Sequence, residues 1–283
     1  GYQEIITNSI SQSRYYKLSE PIKLLNSMTS ELDCMRSSMT PGFLEVIEHN
    51  LNRDQKDLAM FEIGNEYFQD KSGVYRQRKK LVLAVTGMHM SPNWQIPKGH
   101  LNDYFQLKSV IEKLVKDLKL DVLYAEAQDP NYNYGLQISL GQKKIGILGE
   151  FIIDKKMFDI KQKVFIAELD FDIIYKSKLN EKILFQEIIK FPAVKRDLAM
   201  VINQSIPFEL LESIAKKTLA KSLDQVTLFD IFKDKSLGES KKSYAIRLHL
   251  SNREKTLSDK EIDSMIQQLI GVYQKELNPE IRS

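Results

Sequence analysis

Aromatic and basic side chains interleave between residues 228 and 250 of the sequence. A predicted strand carries Phe229 and Phe232, and the basic residues of the polar segment behind it are Lys233, Lys235, Lys241 and Lys242. Side chains alternate along a strand, so a spacing of three places these two rings on opposite faces. An exposed ring beside cations can stack on a single-stranded base while the cations hold its phosphates. Burial of both rings in a core is the alternative that these residues leave open.

The sequence lacks the residue patterns that metal binding, nucleotide binding by a phosphate loop and nucleophilic catalysis require. No two of the four histidines, and no histidine and cysteine, stand at metal-ligand spacing; they are His49, His89, His100 and His249. No glycine-rich phosphate loop and no nucleophile elbow is present. The carboxylates of "AELDFD" alternate as on a solvated strand face. Trp94, between two prolines, fits a packing anchor or a contact point for a partner, and it is interpreted as a packing anchor. The sequence therefore predicts no catalytic residue and no metal site.

The elements that position the aromatic residues are regular in the last third of the chain. "RDLAMVI", "QVTLFDIF" and "SYAIRLHL" read as strands, and "EIRS" reads as a short final strand. One helix is predicted with a cap at Ser205 and with Pro207 in its first turn, and a second begins at the capping box of Ser258 and Glu261. The resulting order, β-α-β-β-α-β, is the ferredoxin-like pattern, in which both helices cover one sheet face and leave the other free.

The first part of the chain reads as strands with a few helices. "LAMFEIGNEYF", "LVLAVTGMH", "YGLQISLG" and "KIGILGEF" are predicted strands joined by short turns, which favours an antiparallel sheet with helices on one side. "DYFQLKSVIEKLVKDL" predicts a helix with Phe105 inward and a cap at Asn102 or Asp103. The fold class is therefore α+β, with domains predicted at residues 1–188 and 189–283.

Composition is typical of a globular protein, with 42% hydrophobic and 28% charged residues. Residues 190–283 carry 16 Lys and Arg against 13 Asp and Glu, so the whole net charge of +3 lies there. No stretch approaches the ~20 apolar residues of a membrane span. The lone Cys34 suits a reducing cytoplasm, where we expect the protein to reside. The missing initiator Met suggests a piece of a longer chain.

Four sequence blocks resemble the ferredoxin-fold anticodon-binding domain of the bacterial phenylalanyl-tRNA synthetase β subunit. They are "FPAVKRDLAMVI", "VTLFDIFKDKSLGESKKSYAIRLHL", "REKTLSDKEI" and "EIRS", in the family's order. The first part, with "MRSSMTPGFLEVIEHNLNRDQKDLAMFEIGNEYF" and "GILGEF", resembles the catalytic-like module of the same subunit. The resemblance implies a class II synthetase-like antiparallel sheet module followed by a ferredoxin-like domain.

The same resemblance argues against activity in the first module. An active class II module carries an arginine that binds the ATP phosphates, and here "Phe61-Glu62-Ile63-Gly64" presents a carboxylate in its place. That carboxylate would repel a phosphate. No glycine-rich strand ends in arginine either. We therefore expect no active site and no cofactor in this chain, with ATP and Mg²⁺ used by the whole enzyme.

The family's anticodon contacts carry over to four residues here, Ala199, Phe232, Ser243 and Arg282. Phe232 replaces the usual tyrosine, which keeps the stacking ring and loses its hydroxyl. Phosphate contacts are expected from Arg196, Lys233, Lys235, Lys241 and Lys242. The implied partners are the catalytic α subunit, tRNA(Phe) and a second αβ pair in an (αβ)₂ heterotetramer, with no membrane. The implied function is support of the α subunit and recognition of the anticodon during ATP-dependent aminoacylation.

Two other functions remain open from the residues. Ferredoxin-like domains also serve as amino-acid-sensing regulatory modules, and a fold does not decide a function. Such modules usually use a glycine-rich turn, whereas the chain after the first strand of the domain reads "VINQSIPF". A purely structural scaffold is the third reading, and it predicts no salt-dependent binding of RNA.

Overall fold

The computed structural model describes residues 1–16, 20–27, 29, 31–178, 190–233, 240–252 and 255–282, without the side chains of Lys221 and Arg282. The chain divides into two compact units, Gly1–Lys182 and Ile183–Ser283, called the first and the second unit below. The domain boundary predicted at residue 188 lies outside the described residues.

The first unit contains the following strands and helices: β1 (Gln3–Glu4), β2 (Ile10–Ser11), β3 (Cys34–Met35), α1 (Thr40–Leu51), β4 (Leu58–Gln69), β5 (Tyr75–Thr86), β6 (Met88–Met90), β7 (His100–Leu101), α2 (Tyr104–Asp117), β8 (Val122–Glu126), β9 (Tyr132–Leu140), β10 (Lys143–Phe151), β11 (Val164–Asp170) and α3 (Phe171–Lys178). Its main sheet has the order β1-β4-β5-β11-β10-β9-β8. β1 runs parallel to β4, and the other neighbours are antiparallel.

The centre of this sheet is buried on both faces. In β5, Val82 and Ala84 pack in the same core as α1, whereas Leu81, Leu83 and Val85 pack with α2 on the opposite face. This two-sided burial explains why β5 ends in the continuous apolar run "LVLAV". The expectation that helices cover only one side of this sheet is therefore wrong.

Helix ends in the first unit follow from local hydrogen bonds. Asp103 caps α2 by accepting a hydrogen bond of 2.9 Å from the Gln106 amide, as predicted. Asp170 caps α3 in the same way, through the Ile173 amide at 3.0 Å, and it is buried. The carboxylates of "AELDFD" therefore do not form a solvated face. Phe105, predicted inward, is 71% exposed because it lies on the outer side of α2.

The second unit contains β12 (Val194–Asn203), α4 (Phe208–Leu219), β13 (Leu223–Phe232), β14 (Lys241–Leu250), α5 (Asp259–Leu277) and β15 (Glu280–Arg282). Its antiparallel sheet has the order β13-β14-β12-β15. The predicted α+β class and the predicted ferredoxin-like order are both confirmed. Tyr273 of α5 donates a buried hydrogen bond of 2.9 Å to the Leu211 carbonyl of α4, which ties the two helices together.

The two helices of the second unit begin differently. The capping box of Ser258 and Glu261 starts α5, as predicted. Pro207 is the N-cap of α4, and Ser205 instead bonds to the Asn203 side chain, so the predicted cap at Ser205 is wrong. Among the described residues, no helix is long and apolar enough to cross a membrane.

Candidate nucleic-acid interface

The second unit has one sheet face that α4 and α5 do not cover. Strand β14 alternates strictly: its even-numbered residues are buried toward the helices and its odd-numbered residues are half-buried on the other side. Cross-strand pairing extends that second face to β12. The residues of this face, called the open face below, include Lys195, Asp197, Ala199, Lys241, Ser243, Ala245, Arg247 and His249.

Small side chains occupy the middle of the open face. Ala199 pairs with Ala245 across β12 and β14, and the Arg282 backbone pairs with Ala199 on the other side. Ser243 lies two residues before Ala245 on β14, and it pairs with Phe232 of β13. Two of the four anticodon residues suggested by the sequence, Ala199 and Ser243, therefore form one shallow floor with Ala245, and the Arg282 backbone lies at its edge. Such a floor lets a flat base approach the sheet closely.

The Phe232 side chain lies at the edge of this floor, on the neighbouring strand β13. Its ring is 49% exposed, and its pairing with Ser243 places it on the open face rather than under the helices. Phe229 is also 49% exposed, and its ring lies against the Arg247 guanidinium, 5.0 Å from the ring centroid. Because Arg247 is on the open face, Phe229 is there too.

The expectation that these two rings lie on opposite faces is therefore wrong. The pairing of β13 with β14 shifts register between Leu228 and Asp230, which is a β-bulge at Phe229. A bulge sets two residues of one strand against one residue of its partner and breaks the alternation of side chains. Here Leu228 still packs into the core, while Phe229 and Asp230 share the place opposite Ala245.

Arg247 lies on the open face, between Asp197 of β12 and the Phe229 ring of β13. Its Nε and Nη2 donate to the two carboxylate oxygens of Asp197, each at 2.7 Å. The hydrogen bond from Arg247 holds the pKa of the Asp197 carboxyl below its usual value, and Asp197 in turn raises the pKa of Arg247. Exposed ion pairs of this kind contribute little to stability, so a phosphate can compete with Asp197 for the guanidinium.

Further cations lie at the other end of the open face. Lys241 forms an ion pair with Glu280 of β15. Lys233 is exposed directly after Phe232. Lys235 lies outside the described residues, and so does the side chain of Arg282. The two described lysines flank the floor at positions where they can reach the backbone of a bound strand.

Two of the expected phosphate contacts lie on the wrong side of the sheet. Lys242 is buried among core residues, and its Nζ donates to the Gln204 and Ile206 carbonyls at 2.9 and 2.6 Å. Arg196 pairs with Leu248, which packs toward the helices, and its guanidinium contacts Asp259 of α5 at 3.2 Å. Alternation along β12 and β14 places both residues away from the open face.

Sequence reasoning did not assign three residues to the open face: Phe229, Asp197 and Arg247. Asp197 and Arg247 had a readable signal, because they stand at even spacing from Ala199 and Ser243 on their own strands. Phe229 had none, since nothing in "TLFDIF" marks a bulge. The charged end of the interface is therefore an ion pair against an aromatic ring rather than a lysine cluster.

In the first unit, the carboxylate of Glu62 is enclosed in a polar network. Its side chain is 6% exposed and meets the Arg36 guanidinium at 3.0 Å. It also accepts hydrogen bonds from the Thr7 amide and hydroxyl at 3.1 and 2.6 Å. All of these partners are structural, so Glu62 holds the N-terminal segment to β4.

Trp94, interpreted as a packing anchor, is 88% exposed, so that interpretation is wrong.

Comparison with known proteins assigns a family to each unit. Residues 1–171 match the family model "Phenylalanyl tRNA synthetase beta chain CLM domain". Residues 190–282 match the family model "Ferredoxin-fold anticodon binding domain". The two matches fall on the two compact units of the fold.

Curated relatives cover the whole chain. It is 34% identical to the phenylalanine–tRNA ligase β subunit of Bacteroides thetaiotaomicron and 30% identical to that of Porphyromonas gingivalis. In both comparisons all of this chain is aligned, and it spans 37% of the relative's length. Among solved structures, pyrrolysyl-tRNA synthetase from Desulfitobacterium hafniense overlaps 64% of this chain and 68% of its own, with a TM-score of 0.47 and 12% identity.

Proposed function

This chain belongs to the phenylalanyl-tRNA synthetase β-chain family, and we propose that it is part of the β subunit of a phenylalanine–tRNA ligase. In this proposal the second unit binds the anticodon of tRNA(Phe). The observation that carries it is the exposed ring of Phe232 beside the floor of Ala199, Ser243 and Ala245, on a sheet face that no helix covers.

The floor and the rings fit an unpaired base. A base that lies over Ala199 and Ala245 meets no bulky side chain there, and its π-face can stack on the Phe232 ring. The Ser243 hydroxyl can donate to or accept from the edge of that base. Because Phe232 has no hydroxyl, discrimination between bases is assigned to Ser243 and the neighbouring backbone rather than to the ring.

Phe229 and Arg247 offer a second contact to the same strand of RNA. A planar guanidinium against a phenyl ring presents donors for a phosphate beside a surface that stacks on a base. Lys241 and Lys233 then neutralise further phosphates at the opposite end of the open face. These contacts follow the backbone of a short single strand, as an anticodon loop requires.

The first unit has a supporting role in this proposal. We assign it the contact with the catalytic α subunit, within an (αβ)₂ assembly in the cytoplasm. Joining of phenylalanine to tRNA, with ATP and Mg²⁺, takes place outside this chain. The buried Arg36–Glu62 pair supports this division, because Glu62 is enclosed by structural partners where an active class II module would present a cation to ATP.

A matched pair of variants tests the anticodon assignment. Phe232 and Ile231 are neighbours with the same exposed fraction, 49%, but Ile231 pairs with Tyr244, whose side chain packs toward the helices. Phe232→Ala should weaken binding of the phenylalanine anticodon stem-loop by about 1–3 kcal/mol, the cost of losing one stacked base. Ile231→Ala should leave the affinity within twofold. Filter binding at one fixed salt concentration measures the RNA affinity of both variants. Equal affinities would contradict the assignment of Phe232 as the stacking residue.

A further inference from the structure

The first unit contains an open cavity of about 550 Å³ that the proposed function does not use. It lies beside the start of α1 and the strands β4, β5, β10 and β11, and all of its lining residues belong to the first unit. A cavity of this volume is within the range that holds small organic ligands, about 300–1,000 Å³.

Two carboxylates form the polar floor of the cavity. Glu66 is buried, with 4% of its side chain exposed, and it forms an ion pair with Arg78 at 3.3 Å. Glu168 accepts a hydrogen bond from the Thr40 hydroxyl. Burial, and then the charge of Glu168, raise the pKa of Glu66 above its usual value. Four carboxylates line the cavity, those of Glu66, Glu168, Asp129 and Asp154, against two cations, Arg78 and Lys80, so negative charge is in excess there.

Tyr132 adds an unsatisfied group to the same floor. The residue is 8% exposed, and its buried hydroxyl has no hydrogen-bond partner among the described residues. Burial raises the pKa of Tyr132 well above its usual value, and the charges of Glu168, Asp129 and Glu66 raise it further. Tyr132 lines the same cavity as Glu66 and Glu168. Buried hydroxyls are nearly always paired, so this one is available to a ligand.

The walls of the cavity are aromatic. Tyr15 and Phe158 stack with their ring centroids 5.2 Å apart and their planes at 23°. Tyr132 and Phe151 meet edge to face at 5.5 Å. Apolar walls above an anionic floor favour a ligand with an apolar body and a positive end, because aromatic faces also attract cations.

A bare metal ion fits this cavity poorly. No cluster of three or more His, Cys, Asp or Glu side chains with metal-binding geometry is found in the described part of the chain. An ammonium group needs fewer and less regular partners: its three N–H groups can be shared between two carboxylates and one hydroxyl oxygen.

We propose that this cavity binds a small organic ammonium ion with an apolar body, which donates hydrogen bonds to Glu66, Glu168 and the Tyr132 hydroxyl. The site is independent of the anticodon-binding proposal, since none of its residues belongs to the second unit.

Two probes with the same phenyl body and opposite charges test this directly. Titration calorimetry of the whole chain should show saturable binding of 2-phenylethylamine and no binding of 3-phenylpropionate. Glu66→Gln and Glu168→Gln should each weaken amine binding about tenfold or more, because each removes a charge-assisted hydrogen bond. Glu112→Gln is the matched control: Glu112 is 49% exposed on α2, pairs with Lys108, and does not line the cavity.

A further variant separates ligand binding from structural support. Tyr132→Phe removes a hydroxyl with no described partner, so it should weaken amine binding without lowering the melting temperature of the unliganded protein. Saturable binding of the amine that is lost in the Glu66 and Glu168 variants supports the site. Failure of the amine to bind, equal binding of 3-phenylpropionate, binding of Mg²⁺ that the amine does not displace, or amine binding unchanged in all three cavity variants would overturn it.

Discussion

Phe229 and Phe232 lie on the same face of one strand, although they are three residues apart. The bulge between Leu228 and Asp230 brings them together, and each ring is 49% exposed. One ring stands beside the small floor of the sheet, and the other covers the Arg247 guanidinium at 5.0 Å. The open face therefore offers two stacking surfaces instead of one.

We predict that the second ring also contributes to RNA binding. Phe229→Ala should weaken binding of the anticodon stem-loop by about 1–3 kcal/mol, because it removes a stacking surface and frees the Arg247 guanidinium. Phe229→Tyr keeps the ring and should bind normally. Filter binding of both variants at one salt concentration measures this. An affinity of Phe229→Ala equal to wild type would show that only the Phe232 ring meets RNA.

Adjacent lysines of β14 should behave differently. Lys241 lies on the open face, so Lys241→Ala should lower the slope of log affinity against log salt concentration by about 1 and change stability little. Lys242 donates to the Gln204 and Ile206 carbonyls. Lys242→Ala should therefore destabilise the second unit, by about 1.5–3 kcal/mol for each such bond to a charged donor.

Salt-dependent binding and urea unfolding together distinguish the two lysines. Lys242→Ala, if it stays folded, should keep the wild-type salt slope. A reduced slope with unchanged stability in Lys242→Ala would mean that its side chain leaves the Gln204 and Ile206 carbonyls to reach RNA.

The Arg36–Glu62 pair should be a strong determinant of stability in the first unit. The side chains of Arg36 and Glu62 are 5% and 6% exposed. Arg36→Met leaves the Glu62 carboxylate buried without its cation, which should cost about 3–5 kcal/mol. Adding Glu62→Leu removes that charge and should recover part of the loss. Urea unfolding followed by circular dichroism tests both, and a single variant no less stable than the double variant would contradict this account.

Much of the second unit was predictable because its signals are local. The capping box at Ser258 and the even spacing from Lys242 to Leu250 each depend on a few neighbouring residues. Alternation from Ala199 and Ser243 would also have placed Arg196 and Lys242 on the helix-covered face, although both were expected to contact phosphate. The bulge at Phe229 was not predictable, since it depends on how two strands pair and leaves no mark in composition.

In the first unit, sequence patterns predicted which segments are strands, but not which helices pack on each face of those strands. The apolar run in β5 is consistent with a strand, but it does not reveal that α1 and α2 pack on opposite faces of it. The cavity could not be predicted at all. Glu66, Tyr132 and Glu168 are far apart in sequence and come together only through the sheet order.

The capping box of α5 should make the second unit sensitive to acid. Hydrogen bonds from Lys255 and then from Ser258 lower the pKa of Glu261 from its ordinary value of 4.5 to about 2. A depressed pKa means that the folded state prefers the charged form. The contribution of Glu261 to stability is therefore complete above pH 4.5 and is lost as the pH falls toward 2.

We predict that Glu261→Gln lowers the stability of α5 at pH 7 and that its difference from wild type shrinks between pH 4.5 and 2, as the wild-type carboxyl becomes protonated. Amide hydrogen exchange along α5 at several pH values measures this. Glu276→Gln, at the exposed far end of the same helix, is the control for loss of a negative charge away from Lys255 and the start of the helix. A difference between Glu261→Gln and wild type that stays constant from pH 7 to pH 2 would contradict the assigned pKa.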